Sequence, residues 1–172
     1  MTFGTTLTEG SLTFDFADVD SATKYDDWSF YRNQFNSAFG GTKAVDLILV
    51  KNDKTVLIEV KDYRQHRRTK TIELGDEVAQ KVRDTLAGLV AAKCNANDAN
   101  ERRFARQALA KQQLSVVLHL EQPAVRSRLF GKPIDTTNLQ LKLKQKLKPV
   151  DAHPEVVCQR TLRPAMDWTV RG

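Results

Sequence analysis

Two apolar runs, residues 44–50 and 55–61, are separated only by Lys51-Asn52-Asp53-Lys54. A short polar link with Asn and Asp between two Val/Ile/Leu-rich runs predicts a β-hairpin. Three charges interrupt these runs: Asp46 opens the first, and Glu59 and Lys61 close the second. Side chains alternate along a strand, so Glu59 and Lys61 face the same way, ~6.6–7 Å apart, and Val60 points into the opposite layer. Folding back at 52–53 pairs residues whose numbers sum to about 105, which sets Asp46 opposite Glu59. An ionisable group within an apolar run is costly unless it meets a partner.

The rest of the chain alternates strand and helix patterns. Residues 11–16 alternate Leu12, Phe14 and Phe16 with polar residues, a half-buried strand. Thr23 and Asp26 have capping-box spacing ahead of Trp28, Tyr31, Phe35 and Phe39, which predicts a helix over 23–39 ending at Gly40-Gly41. The next strand to follow this helix is the one that begins at Asp46. Residues 62–70 read as an exposed basic loop. Asp76 is placed as the cap of a helix to about residue 92, with Val78, Val82, Leu86 and Leu89 as its stripe. A second helix is expected over 101–111, a buried strand over 114–120, and a short helix over 123–130 closed by Gly131. Leu139, Leu143 and Leu147 favour a helix over 136–148, although Leu139, Leu141 and Leu143 would also suit a strand. A last strand is expected over 155–160, with Trp168 in an irregular tail. The pattern is a single α/β domain, residues 1–172, of mixed strand order.

Composition narrows the partners. Lys+Arg number 27 against 21 Asp+Glu, a formal charge of +6, and the isoelectric point is near 9.4. The first 27 residues hold six acids and one lysine, −5 in all, so residues 28–172 carry +11. A basic body favours a polyanionic partner. Cys94 and Cys158 form no metal-binding spacing, and the three histidines share none, so two free thiols in a reducing cytoplasm are expected. No secretory leader is expected from the N-terminal residues, and no apolar run approaches the ~20 residues that span a bilayer.

Two carboxylates converging at a sheet edge repel each other unless a cation lies between them, and oxygen ligands suit a hard ion such as Mg²⁺ or Mn²⁺. The carbonyl of Val60 would add a ligand. A lysine beside such an ion can orient a water while the metal stabilises charge on a phosphate oxygen. On Val45-Asp46-Leu47-Ile48-Leu49-Val50 and Val56-Leu57-Ile58-Glu59-Val60-Lys61, the sequence resembles the PD-(D/E)xK, or restriction-endonuclease-like, nuclease superfamily. Position 45 holds Val in place of the Pro of the superfamily's name. The resemblance implies a restriction-endonuclease-like mixed β-sheet flanked by helices. It implies Mg-dependent hydrolysis of phosphodiester bonds, in DNA rather than RNA, with Asp46 and Glu59 as metal ligands and Lys61 as catalytic lysine.

Other residues could join this site. Asp27 is a candidate metal ligand, ahead of Asp26, whose spacing fits a helix cap. Lys81 and Gln80 lie near the start of the following helix, where members of the superfamily project a polar residue toward phosphate. Lys81 also has the i,i+4 spacing of a surface pair with Glu77. Arg64, Arg67, Arg68 and Lys70 would meet a phosphate backbone, with Tyr63 stacking on bases. A homodimer would suit double-strand cutting, and a partner protein could supply specificity. The alternative is a non-catalytic nucleic-acid-binding or protein-interaction module on the same fold.

Overall fold

A computed structural model of the chain describes residues 3–129 and 131–172. Strands β1 (Phe3–Glu9) and β2 (Leu12–Val19) form an antiparallel hairpin, turning through Gly10 at φ 57°. Five further strands, β3 (Ser21–Lys24), β4 (Leu47–Lys51), β5 (Lys54–Asp62), β6 (Gln113–Glu121) and β7 (Glu155–Val157), form a second sheet in sequential order. Its first three strands run antiparallel and its last three parallel. Strand β8 (Trp168–Arg171) returns to pair with β2. Helices α1 (Leu74–Asn95) and α2 (Ala99–Leu109) connect β5 to β6, and α3 (Thr136–Leu147) connects β6 to β7. The α/β class with mixed strand order is therefore observed.

Strand periodicity sorts the central sheet into two cores. Ile48, Val50, Leu57 and Leu118 pack with Val78, Val82 and Leu89 of α1 and Leu143 of α3. Leu47, Leu49, Val56, Ile58 and Val60 pack on the other face against Phe14, Phe16 and Trp168. Burial on both faces explains the near-continuous apolar character of β4 and β5. It also fixes the facing of the charged residues: Val60 belongs to the hairpin layer, so Glu59 and Lys61 point toward α1. The β4–β5 hairpin has the expected register, Leu47 opposite Ile58 and Lys51 opposite Lys54, with Asn52 left-handed at φ 52° in its two-residue turn.

Several local expectations are corrected. Residues 23–39 are not one helix. Thr23 lies in β3 and its Oγ1 accepts a hydrogen bond from Trp28 Nε1. Short turns at Tyr25–Asp27, Tyr31–Phe35 and Ala38–Gly40 follow. Trp28 is extended, and the freed N–H groups of Ser29 and Phe30 donate to the Glu101 carboxylate at 2.6 and 3.0 Å. That acid from α2 replaces the local cap and lets the aromatic residues enter the core. Strand β3 thus stands between β2 and Asp46, where none was expected, and β1 was also unanticipated. Helix α1 starts at Leu74, and Asp76 pairs with Lys146 instead of capping. Of the helix expected over 123–130, residues 123–129 are not helical and residue 130 lies outside the described residues. Strand β7 is shorter than expected, and Trp168 opens β8 because its ring completes the core against Phe16. No helix of the described residues is long and apolar enough to cross a membrane.

Candidate functional site

The mouth of the β4–β5 hairpin meets α1, and the contact is a buried chain of opposite charges. Asp46 precedes β4, where its Oδ2 accepts the Val60 N–H at 2.7 Å. Glu59 is fully buried, and its Oε1 lies 2.6 Å from both Lys61 Nζ and Lys81 Nζ. Lys81 also lies 3.6 Å from Asp46 Oδ1. Lys61 continues to Glu77 Oε1 at 3.2 Å, and Glu77, also fully buried, takes Arg68 at 2.6 Å and Lys70 at 2.5 Å. Arg68 further donates to the Tyr63 hydroxyl and the Ile72 carbonyl.

Helix periodicity sets the α1 side of this chain. Glu77, Lys81 and Thr85 follow at i, i+4 and i+8 and share one stripe. Glu77 meets Lys61, Lys81 meets Glu59, and Thr85 Oγ1 accepts the Val45 N–H at 3.0 Å. Just past Thr85, a Cβ on Gly88 would lie 1.9 Å from the Tyr25 hydroxyl, so only glycine lets this part of the helix approach.

The charges settle unequally. Burial, with Asp46 nearby, raises the Glu59 carboxyl to about 7, against the opposing pull of Lys81 and Lys61. Burial also opposes the charge on Lys61, but Glu59, Glu77 and Asp46 hold it above its ordinary value. For Glu77, burial is outweighed by hydrogen bonds from Lys70 and Arg68 and by Lys61, which bring it down to about 2.

On the other flank of Asp46, carboxylate oxygens of Glu9, Asp26 and Asp46 lie within 4.8 Å of one another. Burial, then Asp46 and Glu9, raise Asp26 to about 6. Asp26 Oδ1 and Glu59 Oε2 are buried with no hydrogen-bond partner. Glu9 also takes the Lys24 ammonium at 2.8 Å, and the oxygen-only set suits a hard divalent ion.

The structure therefore brings Asp46, Glu59, Lys61 and Lys81 together, with the backbone of Val60 against Asp46. Asp27 stands apart, paired with Arg32 and, at 3.6 Å, Lys24. Gln80 is also outside the group and accepts from Lys43 at 3.0 Å. In the basic loop, Arg64 is held by Asp62 and the Gly172 carbonyl, Arg68 is committed to Glu77, and Lys70 also pairs with Glu77. Arg67 is exposed, and Tyr63 is half-buried. Sequence reasoning read Glu77 only as a surface partner of Lys81, although its stripe with Lys81 and Thr85 carried the signal. It gave Glu9 no role, and no pattern in β1 marks it.

A cleft of about 300 Å³ adjoins this chain. It lies past the carboxyl ends of parallel β5 and β6, between the loop that holds Tyr63, Arg67 and Arg68 and the loop from β6 to α3. Such ends are where open α/β sheets commonly take ligands.

The chain is 35% identical over 174 aligned residues to a cysteine--tRNA ligase of Neisseria meningitidis, across 84% of this chain and 24% of the ligase. It thus spans about a quarter of the length of this curated relative. No family model matches the chain, and no solved structure matches it. The ligase similarity overturns the nuclease reading. The resemblance to the PD-(D/E)xK superfamily rested on residues 45–61, whereas the new similarity extends over most of the chain and leads to a ligase. Assignment as a Mg-dependent nuclease or hydrolase is withdrawn. The geometry supplies a physical reason why the motif misled: the cation between Asp46 and Glu59 is the Lys81 ammonium, so the paired acids have a structural partner.

Proposed function

We propose that this chain is a tRNA-handling module, the RNA-gripping part of a larger tRNA-charging apparatus, and that it does not itself join amino acid to tRNA. The observation that carries this reading is the similarity to a stretch of a cysteine--tRNA ligase over 84% of the chain. The charge distribution agrees with it. Most cations of the 62–70 loop are engaged by internal acids, but Arg67 in that loop and Arg126, Arg128 and Lys132 in the loop after β6 are exposed. Exposed cations at one end of the sheet are what a phosphate backbone needs to gain affinity by releasing its counterions.

This reading includes a divalent ion. Glu9, Asp26 and Asp46 would hold Mg²⁺ or Mn²⁺, and such an ion, bound through a few carboxylates, keeps positions open for phosphate oxygens. Its contribution would be to bridge acidic protein and RNA backbone.

Fluorescence anisotropy with labelled tRNA tests the reading. Wild-type protein is expected to bind with an affinity that falls steeply with salt. The quadruple substitution R67A/R126A/R128A/K132A should weaken binding by at least about tenfold and flatten the salt dependence. Unchanged affinity in that variant would remove these cations from the interface, and absence of tRNA binding at low salt would overturn the proposal.

A further inference from the structure

The cleft beyond β5 and β6 has a composition that neither the charge network nor the bulk charge requires. One wall is apolar, formed by Pro123, Val125 and Ile134, and Val125 is 75% exposed. Its rim carries Arg67 and Lys132, both exposed and, among the described residues, without an ion-pair or hydrogen-bond partner. Its floor includes Tyr63, whose hydroxyl is held by Arg68. Beside Pro123, Gln122 also lines the cleft, and its amide accepts the Ile134 N–H and donates to the Ile134 carbonyl, both at 2.8 Å. That bidentate pair uses one amide N–H and one oxygen lone pair of Gln122 and fastens the two ends of the loop. An apolar slot with two free cations at its edge suits a flat, weakly polar body that carries an anionic group.

We infer that this cleft takes one unpaired nucleotide of the bound RNA, with its base against Pro123, Val125 and Ile134 and its phosphate on Arg67 and Lys132. The inference rests on the tRNA-handling reading and deepens it from RNA in general to a single-stranded segment. Duplex RNA keeps its bases stacked inward and offers such a slot nothing, whereas a single-stranded end presents a base face. The cleft shares Tyr63, Arg67 and Arg68 with a second hollow lined by Lys61 and Lys70. A strand entering the slot would therefore continue over Lys61 and Lys70.

The test compares two labelled RNA hairpins of the same stem, one blunt and one with a short 3′ overhang, by anisotropy at fixed salt, alongside tRNA. The overhang hairpin is expected to bind about tenfold more tightly. Changing the overhang sequence should leave its affinity within about twofold, because every base offers the apolar residues the same kind of flat face. Val125→Asp, at an exposed position where folding is not at stake, should abolish the preference, as should R67A/K132A. Equal binding of the two hairpins, or a preference that survives Val125→Asp, would overturn the inference. With tRNA still bound, that result removes the slot and leaves the RNA-handling reading standing. If tRNA itself does not bind, both fall together.

Discussion

The Lys81 ammonium lies 2.6 Å from Glu59 Oε1. Its other near carboxylate is Asp46 at 3.6 Å, so one helical lysine joins the two strands of the hairpin mouth to α1. Glu59 is fully buried, and without Lys81 its charge would depend on Lys61 alone. Lys81→Met should therefore destabilise the fold by about 2–4 kcal/mol, within the range for removing one partner of a buried pair. Adding Glu59→Gln to Lys81→Met should recover part of that loss, because the buried carboxylate is then gone. Urea unfolding of the two variants checks this; a loss near zero for Lys81→Met would show that the contact is incidental.

The acids of the network predict opposite pH limbs. Glu59 is raised from 4.5 to about 7, so the stability it favours is complete below pH 4.5 and is lost as pH rises through 7. Glu77 is lowered from 4.5 to about 2, so its contribution is complete above pH 4.5 and disappears as pH falls through 2. Thermal melts across pH 2–8 should show Glu59→Gln flattening the loss above pH 4.5, and Glu77→Gln flattening the loss below it. Parallel profiles for wild type and both variants would contradict the assignment.

The proposed cation site would carry a proton signature. Asp26 is raised to about 6 by burial and by Asp46 and Glu9, so at pH 6 about half of it must lose a proton before it can ligate a metal. Calorimetric titration of Mn²⁺ or Mg²⁺ at pH 6 in buffers of different ionisation enthalpy should show proton release. Release should diminish by pH 8 and vanish in Asp26→Asn. Heat without proton release at pH 6 would place the ion elsewhere.

Gly88 tests the packing between α1 and the aromatic turns. A Cβ there meets the Tyr25 hydroxyl at 1.9 Å and Phe35 at 3.1 Å, so Gly88→Ala should cost about 1–3 kcal/mol by overpacking. Tyr25→Phe removes the nearest atom, a buried hydroxyl with no hydrogen-bond partner, and should be near neutral alone and restore part of the stability of Gly88→Ala. Absence of rescue in the double variant would locate the strain at Phe35.

The hairpin could be read from the sequence because its determinants are local: two apolar runs, a polar turn and strict alternation. These gave its register and the shared facing of Glu59 and Lys61. Lys81 enters through the family resemblance, whereas its helical spacing with Glu77 points only to a surface pair. Residues 23–39 misled because their aromatic spacing imitates a helix, while the partner that ends it, Glu101, lies 71 residues beyond Phe30. Glu9, which meets Lys24, Asp26 and Asp46, and β8, which pairs with β2, depend likewise on contacts that no local pattern encodes. The function misled for a related reason. Acids and a lysine at the mouth of a hairpin satisfy a short motif, and a motif cannot reveal that a helix supplies the cation between them.

Competition binding tests the central proposal most directly. Labelled tRNA bound to the wild-type chain is challenged with unlabelled tRNA and with duplex DNA of equal mass, in Mg²⁺ and moderate salt. The account predicts that tRNA competes at least about tenfold more effectively than DNA, because single-stranded segments and 2′-hydroxyls are available only in the RNA. Equal competition by the two would reduce the surface to a general polyanion binder and contradict the assignment to tRNA.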